Sequence, residues 1–159
     1  MRRALDRYYL FLQTVVTTLM GLLIVPVTLQ IVSRYTALIP RWIWTEEVAR
    51  FCFVWIIMVG AMIAVRDGTH FDVDVLPRPK TPRGEAAGRL LVCGLMLVMA
   101  FVFVGYGYDY ARFGWQQNSE LTGVNMIVMH IAYPLAGVTW VLFLGEKVVG
   151  AVRTLIGRP

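Results

Sequence analysis

Charged residues along this chain are spaced so that four long stretches contain none. There are 26 uncharged residues between Arg7 and Arg34, 15 between Arg50 and Arg66, 19 between Arg89 and Asp109, and 25 between Glu120 and Glu146. A helix that crosses a bilayer needs about 20 apolar residues at 1.5 Å rise each. The first, third and fourth stretches qualify directly. The second is too short unless its helix begins before Arg50, and PRWIWTEEVARF supplies such a beginning. Thr45 is placed to cap a helix, and Glu46 and Glu47 then occupy a first turn where carboxylates suit the positive end of the helix dipole. Glu46 and Arg50 form an i,i+4 pair in the favoured order, and Trp42 and Trp44 are suited to the membrane–water interface. A helix from residue 45 to residue 65 is about 31 Å long, enough to cross the hydrocarbon. The pattern predicts an all-α integral membrane protein: a single domain over 1–159 with spans at about 9–33, 45–65, 88–108 and 122–145, and short interfacial segments. The first span is too long for the apolar region of a cleaved signal peptide, and no small-residue cleavage pattern follows it.

Composition agrees. The 159 residues are 58% hydrophobic and 16% charged, with mean hydropathy +0.64, whereas soluble domains carry about 25% charged residues. Cys52 and Cys93 both lie inside apolar runs, which argues against a disulfide framework or a four-ligand zinc site. The net charge of +5 is explained by topology. With four spans both termini share a side, and that side carries eleven Lys and Arg residues against four (Arg34, Arg41, Arg50, Arg112) on the other. The positive-inside rule puts both termini in the cytoplasm. The excess suits lipid headgroups, and no basic face with interleaved aromatics points to nucleic acid.

Candidate chemistry is sparse. RDGTHFDVDVLP, residues 66–77, follows the second span. Gly68 is a natural helix stop, and His70, Asp72 and Asp74 then alternate with Phe71, Val73 and Val75. Those three polar residues are acceptable ligands for several divalent metals; the alternative is a solvated hairpin whose carboxylates face water or pair with arginines. Thr81 and Pro82 read as N-cap and first residue of the next helix. His130 stands four residues before Pro134, where a kink is expected. An ionisable residue inside a span is a functional candidate, but a bis-histidine haem would need a partner at the same depth, and His70 is on the opposite side. A neutral imidazole bonded to a nearby carbonyl or hydroxyl is the expectation.

Helical spacing extends the Glu46–Arg50 pair through Phe53, Ile57, Gly60 and Ala64. Gly60 and Ala64 would let another helix approach closely, either one of the chain's own or a partner's. Ala132 and Ala136 offer a second such face. The spans carry no series of buried ionisable groups, inverted repeats or paired broken helices of the kind transporters use. The residues themselves describe an accessory or scaffold subunit without catalysis.

The run EEVARFCFVWIIMVGAMIAVRDGTHFDVDVLP resembles the signature of the small membrane (Q-type) subunit of tripartite ATP-independent periplasmic (TRAP) transporters. Its acidic residue, Arg, Trp, Gly, Arg, His and second acidic residue fall on Glu46 or Glu47, Arg50, Trp55, Gly60, Arg66, His70, and Asp72 or Asp74. The resemblance implies a bacterial inner-membrane, multi-pass subunit bracing a large membrane subunit that carries the substrate and sodium sites. A soluble periplasmic binding protein would deliver an organic acid. No cofactor is expected in this chain, and it is not expected to be an enzyme. The resemblance places Glu46, Glu47 and Arg50 at the periplasmic end of the second span, fixing helix ends or a subunit contact; with Trp55 and the small-residue pair Gly60 and Ala64 read from spacing, they make up the expected partner or scaffold interface. Arg66, His70, Asp72 and Asp74 would organise a cytoplasmic hairpin. Arg112, Trp115 and Glu120, within DYARFGWQQNSE, would belong to a periplasmic docking loop. The competing readings are a stand-alone four-helix oligomeric transporter, a redox subunit anchoring haem or quinone, and a membrane enzyme built on His70, Asp72 and Asp74.

Overall fold

The computed structural model describes residues 2–36, 40, 42–68 and 82–155. Its helices are α1 (Arg2–Thr36), α2 (Trp44–Asp67), α3 (Pro82–Trp115), a single turn α4 (Ile127–His130) and α5 (Ala132–Leu155). Four helical stretches are long and apolar enough to cross a membrane: Arg3–Thr36, Trp44–Asp67, Leu90–Trp115 and Ile127–Val152. The all-α reading with four spans holds.

Helix bounds differ from the expected spans for local reasons. α1 has 35 residues, about 52 Å, and exceeds the roughly 30 Å of hydrocarbon. Its extra N-terminal turns are held by polar contacts to α2 described below. Within α1 the hydroxyls of Thr14, Thr17 and Thr18 donate to carbonyls four residues back at 2.8–3.0 Å, so no hydroxyl there needs water. α2 begins at Trp44 rather than at Thr45. Thr45 is not the cap: the position before the helix is Ile43, which makes no side-chain cap bond. The Thr45 hydroxyl instead donates back to the Trp42 carbonyl at 2.7 Å. Gly68 ends α2 as expected, with φ of 76° and its N–H on the Ala64 carbonyl at 3.0 Å. α3 begins at Pro82; Thr81 lies outside the described residues. α3 runs on to Trp115 through residues read as loop. DYARFGW contains no proline, and its polar side chains cost little where a helix leaves the hydrocarbon.

The last span starts at Ile127, not 122, and is broken at Ile131, after which α5 restarts with Pro134 as its third residue. The expected proline kink is thus a helix restart. In the first turn of α5 the missing N–H of Pro134 has no intrahelical partner to lose.

The spans pack in the order α1–α2–α5–α3, leaving α1 and α3 at the two outer ends with little contact between them. The core lies where they converge. Leu12 of α1, Val59, Met62 and Val65 of α2, Cys93 of α3, and Ala136, Phe143 and Leu144 of α5 form one buried cluster. Elsewhere α1 and α3 expose large apolar side chains, among them Phe11, Ile24, Leu91 and Phe101, as lipid solvent permits. Small residues set the α3–α5 crossing. A methyl placed on Gly107 would stand 2.9 Å from the Pro134 nitrogen, and one on Gly137 would stand 2.8 Å from the Val104 nitrogen. With Ala100 and Ala111, both buried, these glycines let the two backbones approach closely.

Candidate functional site

The chemistry of the chain gathers at the two ends of α2. At its N-terminal end Glu46 and Glu47 take opposite environments. Glu46 is exposed and pairs with Arg50 at 3.4 Å. Glu47 is only 5% exposed, its carboxylate turned to the hydroxyls of Ser119 and Thr122 in the segment between α3 and α4. That segment is a built turn. Ser119 N–H donates to the Val124 carbonyl at 2.8 Å and Met126 N–H to the Gln117 carbonyl at 3.0 Å. The Asn125 side chain donates to the Trp115 carbonyl at 2.9 Å and accepts from Ile127 N–H at 2.9 Å. Gly123 adopts a positive φ of 70°, as a turn of this kind requires of a residue free of Cβ. Eight residues further along α2, the Trp55 indole N–H donates to the Val128 carbonyl at 2.9 Å.

His130 is 3% exposed and stacks on the Tyr110 ring, with centroids 3.9 Å apart. Its Nδ1 lies over Gly114, near the Tyr110 backbone, without a hydrogen bond of good geometry. The imidazole is held by aromatic stacking on Tyr110, made possible because Gly114 has no side chain to occupy its place.

At the C-terminal end of α2 the polar groups join three helices. Arg66 pairs with Asp6 of α1. Its guanidinium also lies 5.2 Å from the Tyr9 ring centroid and 5.1 Å from that of Phe143 in α5. Tyr9 donates to Asp67 at 2.7 Å. The Lys147 ammonium donates to the Val65 carbonyl at 2.7 Å, where the negative end of α2's dipole favours a cation. Tyr8 and Thr139 are hydrogen-bonded at 2.9 Å. Arg66 thus engages α1 and α5. His70, Asp72 and Asp74 lie outside the described residues. Among the described residues no three His, Cys, Asp or Glu side chains come together as a metal site would need.

The expected interface set divides. Glu47 and Trp55 are engaged within the chain. The stripe beginning at Glu46 and Arg50 continues outward: Phe53 is 55% and Ile57 46% exposed, and Gly60 has no atom within 4 Å of where its Cβ would be. Ala132 and Ala136 are fully buried instead. The docking-loop set divides too. Arg112 and Trp115 stand on the last turn of α3, and Glu120 alone lies in the turn, exposed. The contacts of Asp6, Tyr9 and Lys147 were missed by sequence reasoning. Asp6 and Lys147 were legible as charges at the rim of a span, but not as partners of residues some 60 and 80 positions away.

Comparison with known proteins follows this geometry. The sequence profile of the DctQ component of the tripartite ATP-independent periplasmic transporters matches residues 23–154. Two proteins of Haemophilus influenzae named as TRAP transporter small permeases are similar, at 26% identity over 60% of this chain and 23% over 59%. Each match spans 58% of the relative's own length. The sialic acid TRAP transporter small permease of Vibrio cholerae is 28% identical over 91% of this chain and 83% of its own.

Proposed function

Because the chain belongs to the DctQ component of the tripartite ATP-independent periplasmic transporters, a multi-pass membrane component of transporters and not an enzyme, we propose that it is the static small subunit that braces a large transport subunit. Both termini lie in the cytoplasm of a bacterial inner membrane, following the eleven-to-four distribution of Lys and Arg. Substrate and sodium bind on the large partner, and a periplasmic protein delivers an organic acid. The name of the Vibrio cholerae relative makes sialic acid the first substrate to try. The Ser119–Thr122 turn, with Glu120 at its tip, faces the periplasm and is the surface offered to the delivering protein.

The observation that carries this reading is the outward stripe of α2. Arg50, Phe53, Ile57 and Gly60 run along one helix face that the chain leaves uncovered. It combines an ion pair, two large apolar side chains and an open glycine, the composition of a helix–helix seam. By contrast, the opposite face of α2 holds Val59, Met62 and Val65 in the core.

The test is extraction of the tagged chain in mild detergent from its native membrane. A large multi-span protein should co-purify in fixed ratio. Gly60→Leu, whose Cβ meets no atom of the chain within 4 Å, should reduce that ratio several-fold without lowering the chain's own melting temperature. Recovery of the chain alone, or undiminished partner with Gly60→Leu, refutes the assignment of the seam.

A further inference from the structure

Glu46 and Glu47 are adjacent, yet a helix turns neighbouring side chains about 100° apart, and here that angle separates two environments. The Glu46 side chain is 69% exposed beside Arg50, at the head of the uncovered stripe of α2. Glu47 is buried, its carboxylate turned to the hydroxyls of Ser119 and Thr122 in the turn between α3 and α4.

The way Glu47 meets that turn decides what the turn presents. Ser119 and Thr122 are half-buried, and the two residues between them, Glu120 and Leu121, are exposed. The turn is closed on itself by Ser119 N–H on the Val124 carbonyl and by Gly123 N–H on the Ser119 carbonyl. Its stem is tied to the end of α3 by the Asn125 side chain on the Trp115 carbonyl. Neither contact sets how the tip leans against α2; Glu47 does. Trp55, also on α2, adds a tie beyond the turn through the Val128 carbonyl. A surface oriented before contact incurs less ordering cost when a partner binds.

We propose, resting on the docking role given to this turn above, that the two glutamates serve different partners. Glu46, with Arg50, belongs to the seam with the large membrane subunit. Glu47 touches neither partner. It is a positioning residue that holds the turn so that Glu120 and Leu121 point outward to the delivering protein. The first turns of α2 thereby serve both contacts, one with each side of the helix.

The test uses the tagged chain co-purified with its large subunit, and the soluble periplasmic protein of the same transport system as the probe. Two quantities are read: the ratio of large subunit recovered, and the affinity of the assembled complex for the probe by biolayer interferometry. Glu47→Leu should leave the ratio unchanged and weaken docking about tenfold, the scale of one hydrogen bond to a charged group. Glu47→Gln, whose amide oxygen still accepts from the hydroxyls, should restore most of that affinity. Glu46→Leu should do the reverse, lowering the ratio several-fold with docking unchanged for each complex that forms. Leu121→Asp, at an exposed position, should weaken docking with the ratio unchanged. If the parent complex does not bind the probe, or Leu121→Asp leaves docking unchanged, the turn is not the docking surface and the proposal falls with that reading. If Leu121→Asp weakens docking and Glu47→Leu does not, the surface stands and the positioning role of Glu47 is overturned. Equal effects of Glu46→Leu and Glu47→Leu on both quantities would overturn the division between them. Should Glu47→Leu fail to accumulate, Ser119→Ala combined with Thr122→Val removes the same contacts from the side of the turn, and must give the same loss of docking.

Discussion

Gly137→Ala should loosen the α3–α5 crossing out of proportion to its one added methyl. That methyl would lie 2.8 Å from the Val104 nitrogen and 2.9 Å from the Ala100 carbonyl oxygen. Both are backbone atoms of α3, so no flexible side chain can swing aside. Ordinary contacts of carbon sit near 3.5–4.0 Å, so the helices must part by about 0.7 Å or more, and a gap of that size forfeits a quarter to a half of each dispersion contact. The separation acts along the whole crossing, which includes the Gly107–Pro134 approach. Overpacking of this kind costs about 1–3 kcal/mol. Alanine also gains up to about 1 kcal/mol of helix propensity over glycine, which would mask part of the loss. Gly105→Ala on α3 removes the ambiguity, because nothing lies within 4 Å of its Cβ position and it shares the propensity gain. In detergent, Gly137→Ala should melt roughly 2 to 12 °C below Gly105→Ala, the span obtained by carrying that overpacking cost through the usual 2–4 °C per kcal/mol. Equal melting temperatures would mean that α3 and α5 do not meet in this register.

Three further outcomes follow from the ends of α2. Lys147→Met should leave the Val65 carbonyl without its donor at a cost of about 1–3 kcal/mol, read as faster hydrogen exchange in the last turn of α2, with Lys147→Arg close to the parent. In a double-mutant cycle, Arg66→Ala and Asp6→Ala should show a coupling of only about 1 kcal/mol that falls with added salt, since Asp6 remains largely exposed; Arg66→Ala alone should cost more through its lost contacts with Tyr9 and Phe143. Glu47→Ala should release the turn between α3 and α4, so that an endoprotease cleaving after glutamate cuts at Glu120 several-fold faster, whereas Glu46→Ala should leave that rate unchanged.

The four spans were legible because long charge-free runs are an unambiguous signal in lipid. The stop at Gly68 and the Glu46–Arg50 pair were legible because both are local. The continuation of α3 was hidden by its polar letters: Asp109 and Arg112 read as loop when only the hydrocarbon is counted. The close crossing was hidden for a different reason. Ala100, Gly107, Ala111 and Gly114 repeat along one face of α3, but in a helix that is apolar nearly all round no contrast marks that face. The division of Glu46 from Glu47 was not legible, because adjacent residues differ only in which way a helix turns them. The union of Asp6, Arg66 and Lys147 required knowing that α1, α2 and α5 end together.

The packing order α1–α2–α5–α3 has a consequence for biogenesis. During synthesis the first two spans can pair as soon as both are in the bilayer. The third cannot, for its principal neighbour is made last. At translation rates of roughly 5–20 residues per second, the 40 residues from Trp115 to Leu155 take about 2–8 s. For that interval α3 stands in the membrane with the small-residue face that will meet α5 bare, and only the arrival of the final helix joins the two halves of the protein.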